Sequence, residues 1–222
     1  MSFCVLLIAA GLAWAQAAQD ANRTYQTKEG RAALAATLDS AGRDARQKPR
    51  ELVQSLGISP GSTVVDLGTG PGYMLPYLSR AVGNSGKVLA QDIQTDVLDR
   101  ARAKAKREEL TNVEFILGGD RDPNLPPASS DLILVLDAYH HFDYPDRMLA
   151  ALRRALKTNG RLAVVEYYKR RGAMDGDPDR ELTHIRLDAD GVMREVEAAG
   201  FHLESRKDHI PGSQYVAIFS VK

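Results

Sequence analysis

Residues 63–73, TVVDLGTGPGY, constrain this chain more than any other stretch. Thr63, Val64 and Val65 are β-branched and read as a buried parallel strand, which Asp66 and Leu67 end. Gly68, Gly70 and Gly72 follow at alternate positions, and Pro71 with Tyr73 opens a helix. Glycines let a turn take backbone angles that other residues avoid, and let a ligand come close to the backbone. The helix behind them aims its free N–H groups into the turn. The spacing is G-x-G-x-G, and Tyr73 stands where a dinucleotide G-x-G-x-x-G pattern requires its last glycine.

Strand and helix patterns alternate on either side of this turn. Residues 87–91, 113–117, 131–136 and 161–167 are short apolar runs that read as further strands. Helical patterns cover 29–38, 49–56, 73–82, 95–109, 144–157 and 191–199. Thr158-Asn159-Gly160 is expected to stop the helix of 144–157 with a left-handed residue. Residues 202–207 and 215–221 form a final hairpin-like pair through Pro211-Gly212. Such alternation predicts an α/β fold with a doubly wound, mostly parallel sheet. No repeat or shift in composition marks a second domain.

The chain has 222 residues, and its 29 Lys and Arg balance 29 Asp and Glu. That balance gives no nucleic-acid footprint. The basic run of Arg100, Arg102, Lys104, Lys106 and Arg107 winds around a helix and reads as a solvated face. Residues 3–15 are apolar and are followed by small residues that fit an A-x-A cleavage site. Residues 1–18 therefore read as a secretory signal peptide, although no Lys or Arg precedes the run. A misassigned start or a buried N-terminal helix is the other reading. The run is shorter than the roughly 18 residues of a spanning helix. Cys4, the only cysteine, lies within it, so residues 19–222 carry no thiol chemistry. Export, or membrane association through this segment, is expected on the first reading and a cytoplasmic protein on the second.

The strand, the acidic residue two places before the first glycine, the glycines and the helix together resemble the first motif of class I S-adenosylmethionine-dependent methyltransferases. The likeness covers the chain from about Pro49 onward, including the Ala199-Gly200-Phe201 step late in the chain. It implies a Rossmann-like seven-stranded sheet with the last strand antiparallel, and S-adenosylmethionine as cofactor. Lys157-Thr158-Asn159-Gly160-Arg161 departs mildly from a Leu-Lys-Pro-Gly-Gly turn usual in the family. The cofactor set so implied is Asp66, Gly68, Gly70, Gly72, Asp92, Ile93, Asp120 and Asp137. Asp92 ends the second strand, where a carboxylate suits both hydroxyls of a ribose; a charge at a helix N-terminus is its alternative role. Asp120 stands where the family bonds the adenine amine, or is an ordinary turn Asp.

Asp137-Ala138-Tyr139-His140-His141-Phe142 leaves the fourth strand, and similar stretches occur in small-molecule methyltransferases, among them the ubiquinone/menaquinone C-methyltransferases. His140, His141 and Tyr139 are the catalytic candidates, since His titrates near neutrality and can take a proton from an acceptor. Tyr167, Tyr168, His184 and Arg186 are expected around the same space. His140 and His141 lack the i, i+4 spacing of helical metal ligands, so no metal site is expected. Asp175, Asp177 and Asp179 alternate but lack the Gly and Glu of an EF-hand loop, and read as a solvated loop. The expected function is methyl transfer to a small-molecule acceptor, with the oligomeric state left open. A non-catalytic S-adenosylmethionine-binding domain and an NAD-dependent oxidoreductase are the competing readings. The missing final glycine speaks against the oxidoreductase.

Overall fold

A computed structural model of the chain describes residues 18–40, 42–174 and 179–222. Residues 1–17 of the expected signal segment, Cys4 among them, and two of the alternating carboxylates, Asp175 and Asp177, lie outside the described residues. Among the described residues no helix is long and apolar enough to cross a membrane.

Seven strands form one sheet: β1 (Thr63–Leu67), β2 (Lys87–Asp92), β3 (Val113–Leu117), β4 (Ser130–Leu136), β5 (Leu156–Tyr167), β6 (Phe201–Ile210) and β7 (Gln214–Val221). Their order is β3-β2-β1-β4-β5-β7-β6. The first five run parallel, and β7 is antiparallel to both β5 and β6. The doubly wound sheet and the closing hairpin are as the alternation of elements implies.

Side chains alternate across each strand, so the sheet has two apolar faces. Val65, Leu67, Ile133, Val135, Leu162 and Val164 pack on one face. Helices α6 (Pro145–Ala155) and α8 (Ala189–Ala198) cover it with Leu149, Leu152, Val192 and Val196. Val64, Val88, Leu132, Leu134, Ala163 and Val165 point the other way. They meet α3 (Pro49–Leu56), α4 (Leu75–Val82) and α5 (Thr95–Arg107) through Leu52, Leu56, Leu75, Leu78 and Ala101. Burying one such Leu or Val side chain contributes about 1.5–3 kcal/mol before chain entropy is counted. Helices α1 (Lys28–Leu38) and α2 (Arg43–Gln47) precede α3, and the short α7 (Arg180–His184) precedes α8.

Two expected boundaries change. Helix α6 ends at Ala155, and Leu156 is already extended and paired with Ser130. The next pair in register is Leu132 with Arg161, so residues 157–160 bulge from the ladder instead of capping the helix. Gly160 is needed there for space, since a Cβ would lie 2.8 Å from the Ser130 carbonyl oxygen. Helix α4 starts at Leu75, not Tyr73, because the glycine turn continues through residue 74.

Gly72 decides how closely that turn approaches α5. Its φ is +86°, and a Cβ would sit 2.8 Å from Leu75 Cδ1 and 3.2–3.3 Å from Ala101 Cβ and Cα. Gly61 has a similar φ of +85° but meets only Ser85 Oγ at 3.5 Å. Gly72→Ala is therefore expected to cost roughly 2–5 kcal/mol, the sum of left-handed strain and overpacking. Gly61→Ala should cost only the strain, about 1–2 kcal/mol. Urea unfolding of both variants measures the difference, and equal losses would show that the α5 contact has no weight.

Candidate active site

A cavity of about 340 Å³ opens at the carboxyl ends of the central strands. Strand order reverses there, with β1 between β2 and β4, which is where open α/β sheets bind ligands. The volume falls within the range of small-molecule sites.

The turn after β1 is held from two sides. Thr69 Oγ1 donates to Asp66 Oδ2 at 2.6 Å. The Gly70 N–H donates to Asp92 Oδ2 at 3.0 Å, and the Gln94 N–H donates to Asp92 Oδ1 at 3.0 Å. Asp92 thus joins the end of β2 to the glycine turn, and lines the cavity as well. At Gly68 (φ +70°) a Cβ would come within 2.9 Å of Ala138 Cβ, so the segments leaving β1 and β4 touch. At Gly70 (φ +59°) it would meet only Leu38 Cδ1, at 3.7 Å, and Leu38 belongs to the cavity wall. A side chain at 70 would fill the cradle.

Asp66, Gly68, Gly70, Asp92, Ile93, Asp120 and Asp137 all line the cavity. Gly72 does not; its lack of a side chain serves the packing of α5. Ile93 is 46% exposed at the mouth, an apolar surface beside Asp92. Asp137 follows β4 with φ +52°, a left-handed conformation rare outside glycine. Its N–H bonds the Val165 carbonyl, and its Oδ1 accepts from Gln214 Nε2 at 2.6 Å. Gln214 in turn accepts from Gln47 Nε2 at 2.9 Å.

The three candidate catalytic residues separate. Tyr139 is not in the cavity but in the core: its ring is buried and its hydroxyl donates to Glu195 Oε1 at 2.7 Å. Arg186 holds the same carboxylate with both terminal nitrogens and is buried, so it does not close over the cavity. Successive residues on the 3-10 turn Tyr139–His141 point in different directions, which is why one sinks and another faces outward. His140 is also buried, with its Nδ1 2.7 Å from Glu166 Oε2. His141 lines the cavity, and its Nδ1 lies 2.8 Å from Asn22 Oδ1. His184 packs against both, with ring centroids 4.8 Å from His140 and 5.5 Å from His141. Tyr168 turns outward to donate to Asp208 Oδ1.

Other wall residues lie outside the motifs of the sequence, except Phe142, which closes the Asp137–Phe142 stretch. Asn22, Tyr25, Leu38 and Arg43 come from the segment before α3 and close the outer side. Arg43 lies 3.8 Å over the Tyr73 ring. Phe142, Asp143 and Met148 follow the histidines. Asp143 Oδ1 is buried with no hydrogen-bond partner.

Burial pushes Asp66 up to about 6, and the Thr69 hydroxyl opposes the rise. Burial, then the charge of Glu166, push Asp137 up to about 7. Asp92 is also raised by burial, against its backbone donors. In the unfolded chain such carboxyls titrate near 3.9. The folded state therefore keeps protons that the unfolded chain has lost between about pH 4 and 7. Their stabilising contribution is full below pH 4 and is lost as pH rises through 7. Asp137→Asn removes one of these groups and keeps an acceptor for Gln214. It should be more stable than the wild type at pH 8, on the order of 2–4 kcal/mol, with little difference at pH 4. Thermal unfolding at the two values checks this, and an equal difference at both would show that Asp137 ionises in place without cost.

The chain resembles known proteins over this same region. A family model described as a methyltransferase domain matches residues 64–160. The ubiquinone/menaquinone biosynthesis C-methyltransferase UbiE of Escherichia coli is 31% identical over 121 residues, which are 54% of this chain and 48% of that one. The chain thus spans about half the length of the curated relatives it matches. An S-adenosylmethionine-dependent methyltransferase from Aquifex aeolicus superposes with a TM-score of 0.78 at 28% identity, covering 86% of this chain and 98% of that one. The [4+2]-cyclase SpnF shares the fold at 22% identity, with a TM-score of 0.65 over 79% of this chain and 64% of that one. Sheet order, glycine turn and these likenesses agree in supporting a class I S-adenosylmethionine-dependent methyltransferase.

Proposed function

We propose that this chain transfers a methyl group from S-adenosylmethionine to a small-molecule acceptor. The observation that carries the reading is the charge of the cavity wall. Among the described residues that line it, Asp66, Asp92, Asp120, Asp137 and Asp143 face a single guanidinium, Arg43. S-adenosylmethionine, when bound, supplies an electrophilic methyl on a positive sulfonium and carries an ammonium as well. Opposite charges favour each other in a partly desolvated site, so an acidic wall suits such a ligand. The pyrophosphate of NAD would meet the same carboxylates with the wrong sign.

The residues divide by what they can hold. Asp66 and Asp137 are the buried acceptors for an ammonium, and Arg43 is the group for a carboxylate. Asp92 keeps further lone pairs for ribose hydroxyls beside its two backbone bonds. Asp120 stands at the rim where it can accept from an adenine amine. Tyr25, Phe142 and Met148 supply aromatic and apolar wall, which favours a small, partly apolar acceptor over a polymer. His141 is the acceptor-side residue, placed to hold or move a proton. His140 lies behind it, tied to Glu166.

Calorimetry tests the cofactor first. S-adenosylhomocysteine should bind the wild type and NAD should not. Gly70→Val should abolish the binding, because a branched side chain at φ +59° fills the cradle. Binding of NAD alone would overturn the reading. Once a screen supplies an acceptor, His141→Ala should lower turnover by about 10²–10⁴ with S-adenosylhomocysteine affinity intact. His140→Ala should show first as lost stability, roughly 1–3 kcal/mol, because Glu166 loses a buried donor. An unchanged rate in His141→Ala across pH would mean that the nucleophile arrives already deprotonated.

A further inference from the structure

We propose that His140, His141 and His184 form a binding site for a divalent transition-metal ion of the zinc class, beside the methyl-transfer cavity. Each ring offers one nitrogen, and the three ligand atoms lie within 4.8 Å of one another. The ring centroids are 4.1, 4.8 and 5.5 Å apart. Zn–N bonds of about 2.0–2.1 Å in a tetrahedron put nitrogens about 3.4 Å apart, so an ion needs the rings to turn until their nitrogens draw in by up to about 1.4 Å.

The hydrogen bonds behind the rings set the tautomers. Asn22 Nδ2 donates to the His141 carbonyl at 3.1 Å and to Asp143 Oδ2 at 3.2 Å. Both are acceptors, so the amide orientation is fixed and Oδ1 faces His141 Nδ1. His141 must then donate through Nδ1, which leaves Nε2 as the nitrogen with a lone pair. His140 is set in the same way, with Nδ1 against the Glu166 carboxylate at 2.7 Å. Metal-bound histidines characteristically donate their other ring nitrogen to a carboxylate or carbonyl oxygen. Here one ring has each kind of support.

The sequence hides this set because two ligands are adjacent and the third comes from the end of α7. Three imidazoles suit zinc, and also iron, nickel and copper, and a three-ligand set leaves a fourth position for water or a substrate oxygen. Since His141 also lines the cavity, an ion here would border the acceptor, and the proton-handling role of His141 belongs to the ion-free protein, because the ion would occupy its Nε2.

The test reads the ion itself and is independent of methyl transfer, so its failure would leave that reading standing. Untagged full-length protein is stripped with a chelator and titrated with Zn²⁺ against a competing chelator. One ion per chain is expected. His184→Ala should weaken binding at least a hundredfold, and Asn22→Ala about 10–100-fold through loss of the outer support. Thermal unfolding without metal confirms that each variant is folded, and His184→Gln serves if the alanine form is not. Cobalt substitution should give the ligand-field absorption of a tetrahedral site, absent in the His184 variant. Zinc held no more tightly by the wild type than by a folded His184 variant would overturn the proposal.

Discussion

The bond from the Gly70 N–H to the Asp92 carboxylate is the constraint on which the site depends. At the end of β1 the backbone leaves the sheet and loses its ladder partners. The three glycines of the turn have no side chains with which to hold it. Asp92 supplies the missing acceptor from the neighbouring strand, and Thr69 closes the other side onto Asp66. Two carboxylates from adjacent strand ends therefore fix a loop that would otherwise have many conformations. The same two groups line the cavity, so shape and charge come from one arrangement.

That arrangement has an energetic cost. Acidic side chains crowd a desolvated cleft, and burial raises Asp66, Asp92 and Asp137. Asp137 adds a left-handed backbone. Strain of this kind persists only where the surroundings hold it, here the Val165 carbonyl and the Gln47–Gln214 pair. A cationic ligand would relieve the charge crowding without moving the backbone. The cleft is thus built against its own charge, which fits a site that is complete only when filled.

Most of the sheet was legible in the sequence, because buried parallel strands are continuous β-branched runs and the glycine turn has few other uses. The residues at strand ends, Asp66, Asp92 and Asp137, were legible for the same reason, since their place in the fold follows from strand boundaries. Gly72 was misplaced because a glycine that admits a ligand and one that admits a helix look alike in sequence. Tyr139 and His140 were misplaced because a three-residue turn sends neighbours to different sides, and periodicity says nothing over so short a span. Arg43 and Asn22 were invisible as site residues, and His184 was expected around the acceptor space but not packed against both His140 and His141. They reach it only through tertiary packing across long stretches of chain, and none belongs to a local motif.

The position of β7 between β5 and β6 has a consequence for how the molecule is made. On the ribosome, β6 emerges before the strand it must pair with. Its exposed face is rich in charge, with Glu204, Arg206, Lys207 and Asp208, so it can wait in water. β5 cannot wait as easily: its Ala163, Val164 and Val165 are wholly buried once β7 is in place. Until residues 214–221 leave the exit tunnel, that apolar edge is open to any other strand in the cell. The nascent chain is most vulnerable to mispairing in this interval, after most of the cavity wall has been synthesised and before the sheet that supports it can close.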